Sequence, residues 1–173
     1  MSRGGSRESS RASAERPDPW EVALRLLAMR AMSTEELRQR LARRGYAADP
    51  IASVVARLTA SRYLDDAEYA RTWARSRAHR RSLGPARLAR ELRARGIAEL
   101  EISATLDEVF GERDVRSVAE AAAIRKLRDL QGVPPLVARR RLAAFLARRG
   151  FPAEIILALC RKHCPQGEEI NDQ

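Results

Sequence analysis

Asp65 and Asp66 stand side by side, and adjacent carboxylates can hold a hard divalent cation of the kind nucleases use on phosphodiesters. Such a site needs further converging ligands. No histidine lies near the pair in sequence, and no further acidic cluster lies close to it. The same residues also read as helix punctuation: Asp65 as a cap, Glu68 at the third helical position, and negative charge where a helix N-terminus favours it. Cys160, His163 and Cys164 form a second candidate, but structural zinc asks for four ligands and the other histidine, His79, lies in a distant arginine run. Gly132 and the other glycines lack the spacing of a phosphate-cradling loop, and no nucleophile–base set is evident. Neither catalytic nor metal nor cofactor residues are expected, and the chain reads as a binding protein rather than an enzyme.

Binding chemistry is better represented. The net charge is +10, and every basic side chain except Lys126 and Lys162 is arginine. Between Arg71 and Arg95 the run comprises Arg71, Arg75, Arg77, Arg80, Arg81, Arg87, Arg90, Arg93 and Arg95, set against Glu91 alone within that stretch. Arg139, Arg140 and Arg141 make a second cluster. On a helix, Arg71 and Arg75 fall on the side away from Tyr69 and Trp73 and so face outward. Some members, such as Arg93 and Arg95, suit a helix C-terminus, yet an excess of this size favours a polyanionic partner. Arg71, Arg75, Arg80, Arg81, Arg87, Arg139, Arg140 and Arg141 are the expected contact residues. Base reading is not expected, because no helix has basic residues at both ends together with Asn or Gln, and Tyr69 and Trp73 fall on the apolar side. Any contact with DNA is expected to be electrostatic and salt-sensitive.

The elements that carry these arginines are set by a repeated phrase. Leu37, Leu41, Arg44, Gly45, Tyr46 and Ile51 recur as Leu88, Leu92, Arg95, Gly96, Ile97 and Ile102, and again as Leu142, Leu146, Arg149, Gly150, Phe151 and Ile156. A period of about 50 residues with fixed internal spacing marks a repeat protein, whose units are too small to bury an apolar face alone. Leucines four apart share one helix face, and the glycine ends the helix.

Around each phrase a further helix precedes and another follows, giving nine helices in three sets of three. The first helix is expected over 20–31 with Leu24, Leu27 and Met29 as its apolar surface. Ser33 and Glu36 have capping-box spacing, and Asp49–Pro50 read as N-cap and first residue of the third helix. Gly84 and Pro85 open the middle helix of the second set, and Pro152 the last helix of the third. The fold expected is all-α, an elongated and curved array of three tandem three-helix repeats over 19–62, 63–111 and 112–164. Hydrophobic residues are 45% of the chain and aromatics only 5%, a composition suited to close helix packing.

Residues 1–18, rich in Ser, Arg and Gly, are expected to form a disordered tail, and 165–173, with Glu168, Glu169 and Asp172, a disordered acidic one. No apolar run reaches membrane-spanning length, and two cysteines make no disulfide framework. A cytoplasmic monomer with no membrane partner is expected.

Tyr63-Leu64-Asp65-Asp66 leading into Tyr69-Ala70, then Gly84, Leu88, Glu91-Leu92 and Arg95-Gly96-Ile97, resembles the RecX family of bacterial recombinase regulators. Ser33-Thr34-Glu35-Glu36-Leu37 and Arg149-Gly150-Phe151 extend the resemblance, which covers about residues 20 to 162. It implies tandem three-helix repeats without catalytic residues or cofactors. It also implies binding to the RecA recombinase filament on single-stranded DNA, limiting filament growth, ATPase activity and strand exchange. A nonspecific DNA-binding protein that competes for the strand is the alternative.

Overall fold

A computed structural model describes residues 16–164 apart from Arg113. Most of the expected N-terminal tail (residues 1–15) and all of the acidic tail (165–173) lie outside the described residues. Among those described there are nine α-helices and no strand, and the chain divides between Asp66 and Ala67 into two compact units.

The first unit holds α1 (Pro19–Met29), α2 (Thr34–Arg43) and α3 (Ala48–Ala60). Asp18, placed by the sequence at the end of the tail, caps α1 by accepting from the Trp20 N–H at 3.0 Å. Tyr46 anchors the preceding residue, its hydroxyl donating to the Pro17 carbonyl at 2.6 Å. Ser33 and Glu36 form the expected capping box: Ser33 Oγ accepts from the Glu36 N–H at 3.1 Å, and Glu36 Oε2 from the Ser33 N–H at 3.4 Å. Asp66 Oδ1 accepts from the Thr34 N–H at 2.7 Å, which satisfies another donor in the first turn of α2. Leu37, Leu41 and Leu58 are fully buried at the centre of this unit.

Two local expectations are corrected. Helix α1 turns Ala23 and Leu26 into the core, while Met29 is 82% exposed and Leu24 and Leu27 are only partly covered. Residues 23 and 26, three apart, define the inward stripe, a phase that the run of leucines obscures. Helix α3 begins at Ala48 behind Ala47, not at Pro50. Asp49 and Pro50 sit inside its first turn, where a proline costs nothing because that turn's N–H groups lack intrahelical acceptors.

The second unit comprises α4 (Asp66–Arg81, entered from the first unit), α5 (Pro85–Arg93), α6 (Glu99–Glu112), α7 (Val115–Arg128), α8 (Pro135–Arg148) and α9 (Ala153–His163). Its pre-phrase helices present small side chains inward: Ala70, Ala74 and Ala78 on α4, and Ala119, Ala122 and Ala123 on α7. Leucines of the phrase helices, Leu88 and Leu92 on α5 and Leu142 and Leu146 on α8, fill the space opposite. Phe110 near the end of α6 packs against both the α4–α6 core and the α7–α9 core, so the two share one apolar seam.

All three phrases close by the same chemistry. The glycine N–H reaches the carbonyl three residues back, Gly45 to Ala42 at 2.8 Å, Gly96 to Arg93 at 2.9 Å and Gly150 to Ala147 at 2.9 Å. The N–H of the following apolar residue reaches the leucine five back, from Tyr46 to Leu41, Ile97 to Leu92 and Phe151 to Leu146, at 3.3, 3.2 and 3.3 Å. These are Schellman closures, and they require the left-handed conformation that each glycine adopts, with φ of 82°, 75° and 83°.

The third closure has an extra duty. Gly84 N–H donates to the Arg149 carbonyl at 2.8 Å and Ala86 N–H to the Gly150 carbonyl at 3.2 Å. The open donors at the start of α5 are thus capped by the turn of the next repeat. A Cβ on Gly150 would stand 2.2 Å from the Arg87 nitrogen, whereas one on Gly45 would meet only the Arg16 side chain at 3.4 Å. Gly45→Ala, which loses the left-handed fit alone, is expected to cost about 1 kcal/mol in urea denaturation. Gly150→Ala should cost more than about 2 kcal/mol because backbone atoms must also move. Equal losses would show that the Gly84–Gly150 crossing is not tight.

Candidate nucleic-acid interface

The crossing brings the end of α4 and the start of α5 against the ends of α7 and α8. Each of these segments carries arginine. Arg80, Arg81 and Arg87 from the second repeat and Arg125, Arg148 and Arg149 from the third line one cleft of about 600 Å³, with Leu83 and Glu91 completing its wall. Arg149 donates through Nη1 to the Arg81 carbonyl and, at 3.4 Å, to the Ser82 carbonyl, and its guanidinium lies 4.4 Å from the Phe145 ring centroid. Arg125 donates through Nη2 to the hydroxyl of buried Ser82. Burial, and after it the Arg125 charge, holds the Arg149 guanidinium below its ordinary pKa. Arg125 and Arg149 are thereby held in place beside the other positive charges of the cleft.

Elsewhere the arginine run is better balanced than the sequence suggests. Arg71 pairs with Glu68 at 2.8 Å on the same helix, Arg75 with Glu108 of α6 at 2.5 Å, and Arg93 with Glu99. The expectation of nine charges opposed by Glu91 alone is therefore corrected, since carboxylates flanking the run fold back onto it. Exposed pairs of this kind contribute little stability, but they lower the free charge.

Glu91 itself serves the interior of the second repeat. It accepts from Trp73 Nε1 at 3.2 Å and Arg87 Nε at 3.2 Å, and lies 3.9 Å from Arg77 Nε. Arg77 and Arg95 stand over the Trp73 ring at 4.2 and 3.6 Å from its centroid, and Tyr69 stacks on it. Arg77 and Arg95 are thus committed to an internal cation–π cluster.

Of the eight arginines expected to make contact, the structure gathers Arg80, Arg81 and Arg87. Arg71 and Arg75 are ion-paired, while Arg139, Arg140 and Arg141 on α8 lie outside the cleft, with Arg140 and Arg141 exposed. Sequence reasoning missed Arg125, Arg148 and Arg149 as cleft residues. Arg149 is legible in the sequence as the arginine of the repeated phrase and of the Arg149-Gly150-Phe151 segment, and its place in the cleft follows from the crossing. Among the family-motif residues, Tyr63 is exposed, Leu64 is buried, Asp65 directly precedes α4, and Asp66 caps α2 through Thr34. Gly84 sits at the crossing, and Gly96 ends α5's turn.

The acidic and thiol candidates take structural places. Among the described residues, no three His, Cys, Asp or Glu side chains converge as a metal site. Cys160 and Cys164 are buried, and burial first, then the neighbouring Cys164, pushes the Cys160 thiol up. His163 Nε2 lies 3.6 Å from Glu120, which also accepts from Lys162. No helix among the described residues is long and apolar enough to cross a membrane.

These features define an all-helical protein of three-helix repeats with an arginine-lined cleft. The chain belongs to the RecX family of regulatory proteins. It matches the family's first three-helix domain over residues 20–58, the second over 65–106 and the third over 114–159. It is 41% identical over 141 residues to the regulatory protein RecX of Halorhodospira halophila, covering 80% of this chain and 83% of that one. The regulatory protein RecX of Pelodictyon phaeoclathratiforme is 34% identical over 145 residues, with 84% and 88% covered. The crystal structure of RecX from Lactobacillus salivarius superposes with a TM-score of 0.72 at 17% identity, over 83% of this chain and 93% of that one.

The Glu91 cluster yields a stability test. Glu91→Ala leaves the Trp73 indole N–H without its acceptor and should cost about 1–3 kcal/mol in denaturant unfolding. Glu91→Gln, which keeps an acceptor, should cost less. A Glu91→Ala protein as stable as its parent would make that carboxylate a mere surface charge.

Proposed function

We propose that this chain binds the RecA recombinase filament on single-stranded DNA and inhibits it, limiting filament growth, ATPase activity and strand exchange. Membership of a regulatory family in all three repeats is the observation that carries this reading. The arginine-rich surface supports it, because a nucleoprotein filament is a dense polyanion that attracts such a surface at long range. The electrostatic contact is assigned to the arginines named from the sequence: Arg80, Arg81 and Arg87 in the cleft, and Arg71, Arg75, Arg139, Arg140 and Arg141 outside it. Several weak contacts on one scaffold gain affinity through effective concentration. The protein works in the cytoplasm, where RecA and DNA are found together, and it performs no covalent chemistry of its own.

The rival reading, competition for the strand by nonspecific binding, is favoured by the net charge of +10. A titration of RecA's DNA-dependent ATPase with DNA in large excess separates the two. Inhibition well below one regulator per RecA protomer is the expected outcome. Inhibition only when the regulator matches the DNA would establish competition instead, and no inhibition at any ratio would end the proposal.

A further inference from the structure

We propose that the cleft formed by Arg80, Arg81, Arg87, Arg125, Arg148 and Arg149 is a phosphate clamp that takes the sugar–phosphate backbone of a single nucleic-acid strand across the junction of the second and third repeats. Six arginines line a space of about 600 Å³. The one carboxylate in its wall, Glu91, is already engaged by Arg87 and the Trp73 indole. Among the described residues no carboxylate pairs with Arg80, Arg81, Arg125 or Arg148. Converging like charges persist at a cost unless an anion enters between them, and planar guanidinium forks match phosphate oxygens in pairs. The site is also preorganised, because Ser82 and the Arg81 carbonyl hold Arg125 and Arg149 before any ligand arrives.

The lining identifies the part of the ligand that is bound. Leu83 is its sole apolar side chain and no aromatic ring faces the cleft, so there is no platform for base stacking. Phosphates are held while bases point away, and recognition is independent of sequence. A flexible single strand can turn successive phosphates into such a cleft. The choice of a strand over an acidic peptide rests on the function proposed above, in which the target carries single-stranded DNA.

The test uses the full chain without RecA. A fluorescein-labelled oligothymidylate is titrated by anisotropy at several salt concentrations against the native protein and Arg80→Ala/Arg148→Ala. These two residues come from different repeats and are exposed, and circular dichroism checks the fold. Affinity should fall about tenfold. The slope of log affinity against log salt should shrink by roughly 1.4, at about 0.7 per lost phosphate contact on a single strand. Arg38→Ala/Arg161→Ala, the same charge change outside the cleft, should leave most of the affinity in place. Unchanged affinity and slope in the cleft variant would overturn the clamp. So would a labelled oligoglutamate peptide that binds more tightly than the strand and is lost in that variant, because the occupant would then be an acidic protein segment. Strand capture through the cleft without any effect on RecA's ATPase would remove the proposed function and leave the clamp. Undiminished ATPase inhibition by a cleft variant that binds strand normally would do the reverse.

Discussion

Two backbone hydrogen bonds, from Gly84 to the Arg149 carbonyl and from Ala86 to the Gly150 carbonyl, decide where the charge of the second unit collects. They tie the start of one helix to the end of another some sixty positions later, and the approach is close enough that neither glycine could carry a side chain. Gly84 would press a Cβ to 2.5 Å from the Gly150 oxygen, and Gly150 would press one against Arg87. Because the backbones touch, the arginines flanking both glycines converge. The cleft is a by-product of a helix cap.

The same repeated arginine takes three different posts. Arg44 donates to the Arg40 carbonyl of its own helix at 3.2 Å. Arg95 lies over Trp73 and donates to the Glu91 carbonyl at 2.7 Å. Arg149 crosses to the Arg81 carbonyl of the preceding repeat. The backbone closure beside each is identical, so it is the surroundings that differ. A repeat can therefore keep its turn chemistry constant while its arginine is redirected from local capping to core packing to inter-repeat contact.

What the sequence made legible was local. The Schellman closures, the Ser33–Glu36 box and the Gly84–Pro85 start depend on residues within a few positions, and each could be read from type and spacing. The phase of α1 could not, because Leu24, Leu26 and Leu27 offer competing stripes and only contact with α2 and α3 selects Ala23 and Leu26. Charge balance was illegible for the same reason: Arg75 finds Glu108 thirty-three positions away, and that distance closes only when α4 and α6 pack. Half of the cleft, Arg125, Arg148 and Arg149, belongs to a repeat that the arginine run does not reach. Periodicity reveals what each repeat is but leaves open which edges meet.

The inter-repeat cap also bears on how the polypeptide is made. Helix α5 leaves the ribosome with its first amide donors facing water, and the carbonyls that will accept from them belong to residues translated roughly 60 positions afterwards, a lag of about 3 to 12 seconds at ordinary elongation rates. During that interval the middle repeat is provisional, and it acquires its final N-terminal ligature only when the last repeat has emerged and turned back at Gly150.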